Sequence, residues 1–281
     1  MNDKKTALIL EGGGVRGIFS AGVLDVFLEN NITFDMVVGV SAGALFGVNL
    51  LSGQKERALR YNKKYNKDRR YMGIIPLILE GNIVNTDYAY RRVPYELDPF
   101  DNEAYKNSAT KMFAVVTNVE TGEPEYLQVT DVYEQMDVLR ASGSLPIVSK
   151  PVMIGEQAYL DGGVSDSIPY EWALEQGYER VVVVLTRDIN YRKKPSSKLV
   201  ADLFLKKYPK IRENMLNRHE NYNNKVERLI KLEQEKKVFV IRPSVPLEAG
   251  RLERDAAKIQ MTYDCGKADA NREMKAMLEF F

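Results

Sequence analysis

Apolar positions along this chain fall into two kinds of run. Thr6 to Leu10, Met36 to Val40, Val181 to Leu185 and Val238 to Ile241 are short, β-branched and almost free of polar residues, so they read as buried strands. Lys111 to Val119, Glu125 to Val129 and Val152 to Ile154 are further strand candidates. Between them, apolar residues recur at helical spacing in Ile18 to Leu28, Ala42 to Leu51, Val132 to Ala141, Tyr170 to Gln176, Ile211 to Glu235 and Arg251 to Leu278. Strands alternating with helices predict an α/β layered fold with a largely parallel central sheet flanked by helices.

No internal repeat, low-complexity tract or Gly/Ser-rich linker interrupts the chain, so residues 1–281 are expected to form a single domain. The polar stretch Asp188 to Lys198 reads as a long loop. The apolar run Ala7 to Leu10 is too short for a secretory segment, and Met72 to Leu79, broken by Gly73 and Pro76, falls below the roughly 18 residues a membrane span needs.

Composition narrows the function classes. Forty Lys and Arg against 39 Asp and Glu leave no global field to favour nucleic acid. A single cysteine, Cys265, excludes an internal disulfide and fits a reducing compartment, with the cytosol the default. Cys265 and the lone Trp172 suit packing roles.

The candidate chemistry lies in two strand-turn-helix units. Gly12-Gly13-Gly14-Val15-Arg16-Gly17 follows the first strand, and Gly39-Val40-Ser41-Ala42-Gly43 joins the second strand to its helix. A serine in this frame sits at a strained turn that projects Oγ into a cleft, with glycines on either side allowing the bend. The bland alternative is a serine that caps its helix. Successive N–H groups of Gly12, Gly13 and Gly14, beside a helix start, can hold a carbonyl oxygen that becomes negative. Arg16 either reaches the pocket, to hold an anionic headgroup or brace the loop, or is an ordinary surface arginine. The loop also fits the dinucleotide fingerprint through Gly12, Gly14 and Gly17. That reading wants an acidic residue at the end of the second strand, where Ser41 stands instead; Asp35 lies at the other end.

Serine chemistry normally needs an imidazole. The one histidine, His219, lies in a strongly polar helical stretch and reads as a solvated surface residue. Asp161, in Leu160-Asp161-Gly162-Gly163, is the candidate base, the bland alternative being an Asp-Gly turn. Asp166 or Ser167 reads as a cap for the helix near Pro169.

These motifs, in this order, resemble the patatin-like phospholipase family. Gly12 to Gly17 is similar to its oxyanion loop, Gly39 to Gly43 to its serine turn, and Asp161-Gly162-Gly163 to its Asp-Gly-Gly/Ala motif. Ala141-Ser142, Leu145-Pro146 and Pro151-Val152 resemble the segment leading to the aspartate. The likeness covers about residues 6–175, and the carboxyl third carries no recognised motif. Glu11, before the glycines, is a minor departure.

The resemblance implies a three-layer patatin-like fold and a serine esterase that cleaves lipid acyl esters with a Ser41–Asp161 dyad. Gly12, Gly13 and Gly14 would form the oxyanion hole, with Arg16, Gly17, Gly39, Gly43, Gly162 and Gly163 in support. It implies no metal or organic cofactor. A transacylase or thioesterase would use the same dyad, and a nucleotide-binding protein using Gly12 to Gly17 is the rival from another class. A lipid or acyl-ester substrate is expected, with no nucleic-acid partner and with peripheral membrane contact left open.

Two stretches bear on that contact. Tyr71 to Leu79 reads as buried core in preference to a flap over an acyl pocket. Arg192 to Lys237 is strongly basic, with 14 Lys and Arg against 6 Asp and Glu, and reads as a solvated helix face in preference to a surface for anionic headgroups.

Overall fold

The computed structural model describes residues 5–281. Its centre is an eight-stranded sheet: β1 (Thr6–Leu10), β2 (Met36–Val40), β3 (Lys111–Asn118), β4 (Pro124–Val129), β5 (Val152–Ile154), β6 (Gln157–Asp161), β7 (Arg180–Val184) and β8 (Val238–Ile241). The order is β5-β6-β3-β2-β1-β7-β8, with β4 also paired to β3. β3, β2, β1, β7 and β8 run parallel. The antiparallel pairs β3–β4, β3–β6 and β5–β6 finish the other side. A parallel sheet must be covered on both faces, which is why its central strands are apolar throughout rather than alternating.

The helices are α1 (Ile18–Glu29), α2 (Ala42–Leu51), α3 (Arg57–Tyr65), α4 (Ile74–Glu80), α5 (Asn102–Lys106), α6 (Met136–Ser142), α7 (Tyr170–Glu175), α8 (Lys198–Phe204), α9 (Pro209–Gln234) and α10 (Ala256–Phe280). On one sheet face Leu8, Leu10, Val37, Met112, Val182 and Val184 pack against α1, α2 and α10 through Phe19, Val23, Phe27, Val48 and Ala270. On the other, Ile9, Val38, Val40, Val183 and Val240 pack against α7 and α9 through Tyr170, Ala173, Tyr222, Val226 and Leu229. Each fully buried Leu, Ile, Val or Phe contributes about 1.5–3 kcal/mol, so the three layers rest on these two apolar clusters.

Several boundaries differ from the sequence expectations. β6 is a strand in its own right, and Asp161 is its last residue. α10 starts at Ala256, where the Asp255 side chain accepts from Ala257 N–H at 2.8 Å. Helices α3, α4, α5 and α8, and a π-helical stretch Tyr88–Leu97 with Pro94 inside it, are additions. The run expected to be core is divided. Tyr71, Met72 and Pro76 are buried, but Ile74, Ile75, Ile78 and Leu79 of α4 face outward, Ile78 being 76% exposed.

Candidate active site

Ser41 is the single residue between β2 and α2, with φ 55° and ψ −121°. A side-chain-bearing residue in that region costs about 1–3 kcal/mol and persists only where its surroundings impose it. Here Ser41 N–H donates to Ser142 Oγ at 2.9 Å, and its carbonyl accepts from Ala44 and Leu45 at 3.0 and 3.1 Å. Gly43 lets α2 close onto β1, since a Cβ there would stand 2.3 Å from Leu10 O. The Ser41 hydroxyl makes no capping bond to α2. The cap alternative is thereby set aside, and Oγ faces the cavity.

Asp161 enters that cavity from β6, as a residue only 1% exposed. Its N–H donates to Ser144 O, and its carbonyl accepts from Thr117 Oγ1, each at 2.9 Å. The end of α6 therefore holds both residues, Ser41 through Ser142 and Asp161 through Ser144. Asp161 Oδ1 accepts from Gly163 N–H at 2.8 Å, where the chain turns into a short 3-10 segment rather than an Asp-Gly hairpin. Among the described residues Oδ2 has no formed hydrogen bond, but the Ser41 hydroxyl is near enough to favour the charged carboxylate. Such contacts commonly tighten only when substrate binds. Burial pushes the Asp161 carboxyl above its usual range, opposed by Arg218, Ser41 and Gly163 N–H.

The glycine loop closes the third side. Gly12, Gly13 and Gly14 line the same cavity, and among the described residues their N–H groups have no hydrogen-bond acceptor. Gly14 has φ +59°, and a Cβ on it would stand 2.5 Å from Arg251 O, the acceptor for Val15 N–H at 3.0 Å. Gly17 seats the loop against Ala42 and Phe46 of α2. Gly39 is the penultimate residue of β2, in register with Leu10 and Ala114. Gly162 lies on Val115 of β3, and Gly163 O accepts from Arg218 Nε.

Glu11 is more than a departure from a pattern. It is 4% exposed, accepts from Thr186 N–H at 2.6 Å, Thr186 Oγ1 at 3.1 Å and Tyr222 Oη at 2.7 Å, and so ties the loop to β7 and α9. Arg16 is also buried. It makes no hydrogen bond or ion pair among the described residues, and its Nε is without a partner, so the bracing role is not observed.

Residues beyond 175 complete the cavity: Arg187, Tyr191 and Lys193 after β7, Arg218 and Tyr222 from α9, and Arg251 before α10. Sequence reading missed this convergence and placed Lys193 and Arg218 on a solvated basic face. Other charges of that segment are paired elsewhere, Arg192 with Glu227 at the surface and Lys225 with buried Asp166. Ser41, Gly14, Leu145 and Arg251 also border a second cavity of about 150 Å³, lined mainly by apolar side chains such as Val15, Phe46, Tyr71, Met72, Val93 and Phe100. Ser41 thus stands between a polar, cationic compartment and an apolar one.

Other candidates fall elsewhere. His219 is half-buried rather than fully solvated, holds Leu216 O at 2.9 Å through Nδ1, and lines neither cavity. Asp35 is bonded to Thr6 at the start of β2, far along the strand from Ser41. Trp172 stacks on Tyr126 with centroids 4.2 Å apart, and Cys265 packs beside Asp269. Among the described residues no group of three or more His, Cys, Asp and Glu is placed to hold a metal ion. Nor is any helix long and apolar enough to cross a membrane.

Comparison with known proteins matches residues 8–174 to the patatin-like phospholipase family and residues 208–281 to a domain of unknown function, DUF6363. An uncharacterized Escherichia coli protein, YjjU, is 31% identical over 192 residues, 65% of this chain and 52% of that one. Lysophospholipase NTE1 of Debaryomyces hansenii is 25% identical over 193 residues, 66% of this chain and 12% of that one. The chain therefore spans about half of the first relative and a small part of the second. Among solved structures, VipD from Legionella pneumophila is similar with a TM-score of 0.47 and 15% identity, over 98% of this chain and 67% of that one.

Proposed function

This chain belongs to the patatin-like phospholipase family, and from that premise we propose that it is a serine hydrolase of lipid acyl esters working through Ser41 and Asp161. The observation that carries the reading is the position of Ser41. A strained serine faces a buried carboxylate and a loop of unbonded N–H groups, with an apolar cavity on its other side.

In the proposed reaction the acyl chain lies in the apolar cavity and the alcohol part in the cationic one. Ser41 Oγ attacks the ester carbonyl as its proton passes to Asp161. The N–H groups of Gly12, Gly13 and Gly14 receive the oxyanion. Collapse of the tetrahedral intermediate breaks the bond to the alcohol oxygen, which takes the proton from Asp161. Water then attacks the acyl-enzyme, again giving a proton to Asp161, and the acid leaves as Ser41 Oγ is reprotonated. Residues 208–281 belong to the same domain in this reading, because β8 extends the sheet and α9 and α10 cover its two faces.

The lipid is met at a surface built by α4 and α8. Ile74, Ile78 and Leu79 on one, and Leu199, Leu203 and Phe204 on the other, are exposed large apolar residues. The segment 146–151 lies between them: Ile83 N–H donates to Val148 O at 2.7 Å, and Phe204 and Leu205 line a groove with Pro146 and Pro151. Exposed Lys150, Lys198, Lys206 and Lys207 surround this face, which suits an anionic bilayer.

A long-chain fluorophosphonate with peptide mass spectrometry tests the chemistry. The expected adduct is on Ser41, absent in Ser41→Ala and strongly slowed in Asp161→Asn. Folded protein that hydrolyses acyl esters but carries its adduct elsewhere refutes the assignment.

A further inference from the structure

The cavity beside Ser41 holds five basic side chains, Arg16, Arg187, Lys193, Arg218 and Arg251, against two carboxylates, Glu11 and Asp161. Neither carboxylate forms an ion pair with any of the five among the described residues. Glu11 is occupied by Thr186 and Tyr222, and Asp161 Oδ1 by Gly163 N–H. Arg218 spends one donor on Gly163 O. Arg187 lies over the Tyr191 ring and Lys193 over the Tyr222 ring, at 4.2 and 3.9 Å from the centroids. Arg16, 6% exposed, has no partner for its buried Nε.

Gathering unpaired cations carries a visible cost. Burial, with Arg187 and Arg251 nearby, pushes Arg16 down to about 10. Burial, with Arg218 nearby, pushes Lys193 down to about 6, so that near pH 7 it takes up its proton only when an anion enters. Glu11 and Asp161 offset this only in part; buried charge in excess of its counter-charge is normally eliminated or paired, so the rest of the counter-charge is sought in a ligand. Arginine forks are suited to phosphate oxygens. The cavity also continues outward into a wider mouth that shares Tyr191, Lys193, Arg218 and Arg251 and adds Arg192 and Lys194.

Resting on the hydrolase reading above, we propose that this compartment selects acyl donors whose leaving group carries a phosphate with at least two negative charges, and that the selection is built by residues 187–251 rather than by the catalytic motifs. Four of the five cations come from that part of the chain. The ester is thereby oriented, its tail in the apolar cavity and its phosphate among the arginines, with the carbonyl over Ser41. A phosphocholine group, which keeps one negative charge and adds a cation, answers the cations less fully, and an uncharged glycerol not at all.

Two measurements on the full chain test this. In the first, glycerol 3-phosphate and glycerol are titrated into Ser41→Ala protein by calorimetry at matched ionic strength. Saturable binding of the phosphate with Kd below about 1 mM is expected, with none of glycerol, and loss of binding in Arg187→Gln/Lys193→Gln. In the second, wild-type kcat/KM is compared for 1-acyl-glycerol 3-phosphate, its phosphocholine counterpart, the monoacylglycerol and acyl-coenzyme A. A phosphate-terminated donor is expected to exceed the choline and neutral esters by at least about tenfold, roughly the worth of one charge-assisted hydrogen bond.

Preference for the glycerol phosphate or for the coenzyme A ester identifies which source supplies the phosphate. Equal rates on all four esters, or no saturable phosphate binding, overturn the inference while leaving the hydrolase standing. Phosphate binding with no ester cleaved overturns the hydrolase reading and leaves an anion site.

Discussion

Glu11 offers the sharpest test of how the site is held together. Replacing it with alanine removes the acceptor for Thr186 N–H and for Tyr222 Oη, bonded at 2.6 and 2.7 Å. The Thr186 hydroxyl keeps an alternative, Gly12 O at 3.0 Å, so two donors are orphaned rather than three. At about 1–3 kcal/mol for each unsatisfied buried donor, Glu11→Ala is expected to lose between about 2 and 6 kcal/mol. Glu11→Gln is isosteric. Its amide oxygen can accept from Thr186 N–H while its NH2 donates to Tyr222 Oη, so most of the loss is recovered. Urea unfolding followed by circular dichroism measures both, with a shift in midpoint at constant slope marking a change in stability. If Glu11→Ala falls within about 0.5 kcal/mol of wild type, a range typical of surface substitutions, Glu11 does not clamp the loop. If Glu11→Gln is as damaging as Glu11→Ala, charge rather than hydrogen-bond satisfaction holds the loop, and the reasoning fails on that point.

Four further outcomes are expected. Ser41→Ala should lower kcat on any acyl ester by at least about 10³-fold with little change in unfolding midpoint, since removing a nucleophile abolishes the covalent route. For Asp161, burial raises the carboxyl pKa, so the acidic limb of kcat/KM should lie above the 3.9 of an unperturbed aspartate. The sign for stability is opposite: a carboxyl with a raised folded pKa contributes stability at low pH that is lost as pH rises through that pKa. Asp161→Asn should therefore be inactive yet at least as stable as wild type at neutral pH, the difference closing on acidification, as thermal melts across pH would reveal. Val93→Trp, which fills the apolar cavity, should shift preference toward shorter acyl chains in a chain-length series, whereas an unchanged profile would remove the tail from that cavity. Ile78→Asp and Leu203→Asp should weaken co-sedimentation with phosphatidylglycerol vesicles while sparing hydrolysis of a short, monomeric ester; unaltered co-sedimentation would remove α4 and α8 from the contact.

How far the sequence carried the fold depended on whether the signal was local. The parallel strands at the centre were legible because burial on both faces demands runs such as Val181 to Leu185, which little else in a soluble chain resembles. The serine turn was legible because its glycines are adjacent in sequence. β6 was not, since its five residues, Gln157–Asp161, alternate too briefly to mark a period, although each of them pairs with β3 or β5. The apolar run at α4 misled because hydrophobicity alone does not distinguish a residue that meets the core from one that meets lipid. The cationic compartment lay beyond local reading altogether. Arg16, Arg187, Arg218 and Arg251 come from four separate segments, and Arg218 sits on a helix most of whose other charges face solvent, so only the tertiary fold brings them to one wall.

The costs carried by this site point in a common direction. Ser41 is held at a backbone angle its side chain disfavours, Asp161 is buried where its charged form is disfavoured, and Arg16 is buried without a partner. None of these arrangements favours folding, and proteins retain such costs where function requires them. An ester bearing phosphate would relieve the last of these costs and deepen the second. Phosphate would supply the missing counter-ion for the arginines, and with their field partly neutralised Asp161 would lose some of the support Arg218 gives its charge, making it a stronger base at the moment the serine proton must move. On this argument the anion compartment and the dyad are coupled, so neutralising Arg187 and Lys193 should lower kcat as well as raise KM for the phosphate ester. A change in KM alone would mean that the compartment only binds.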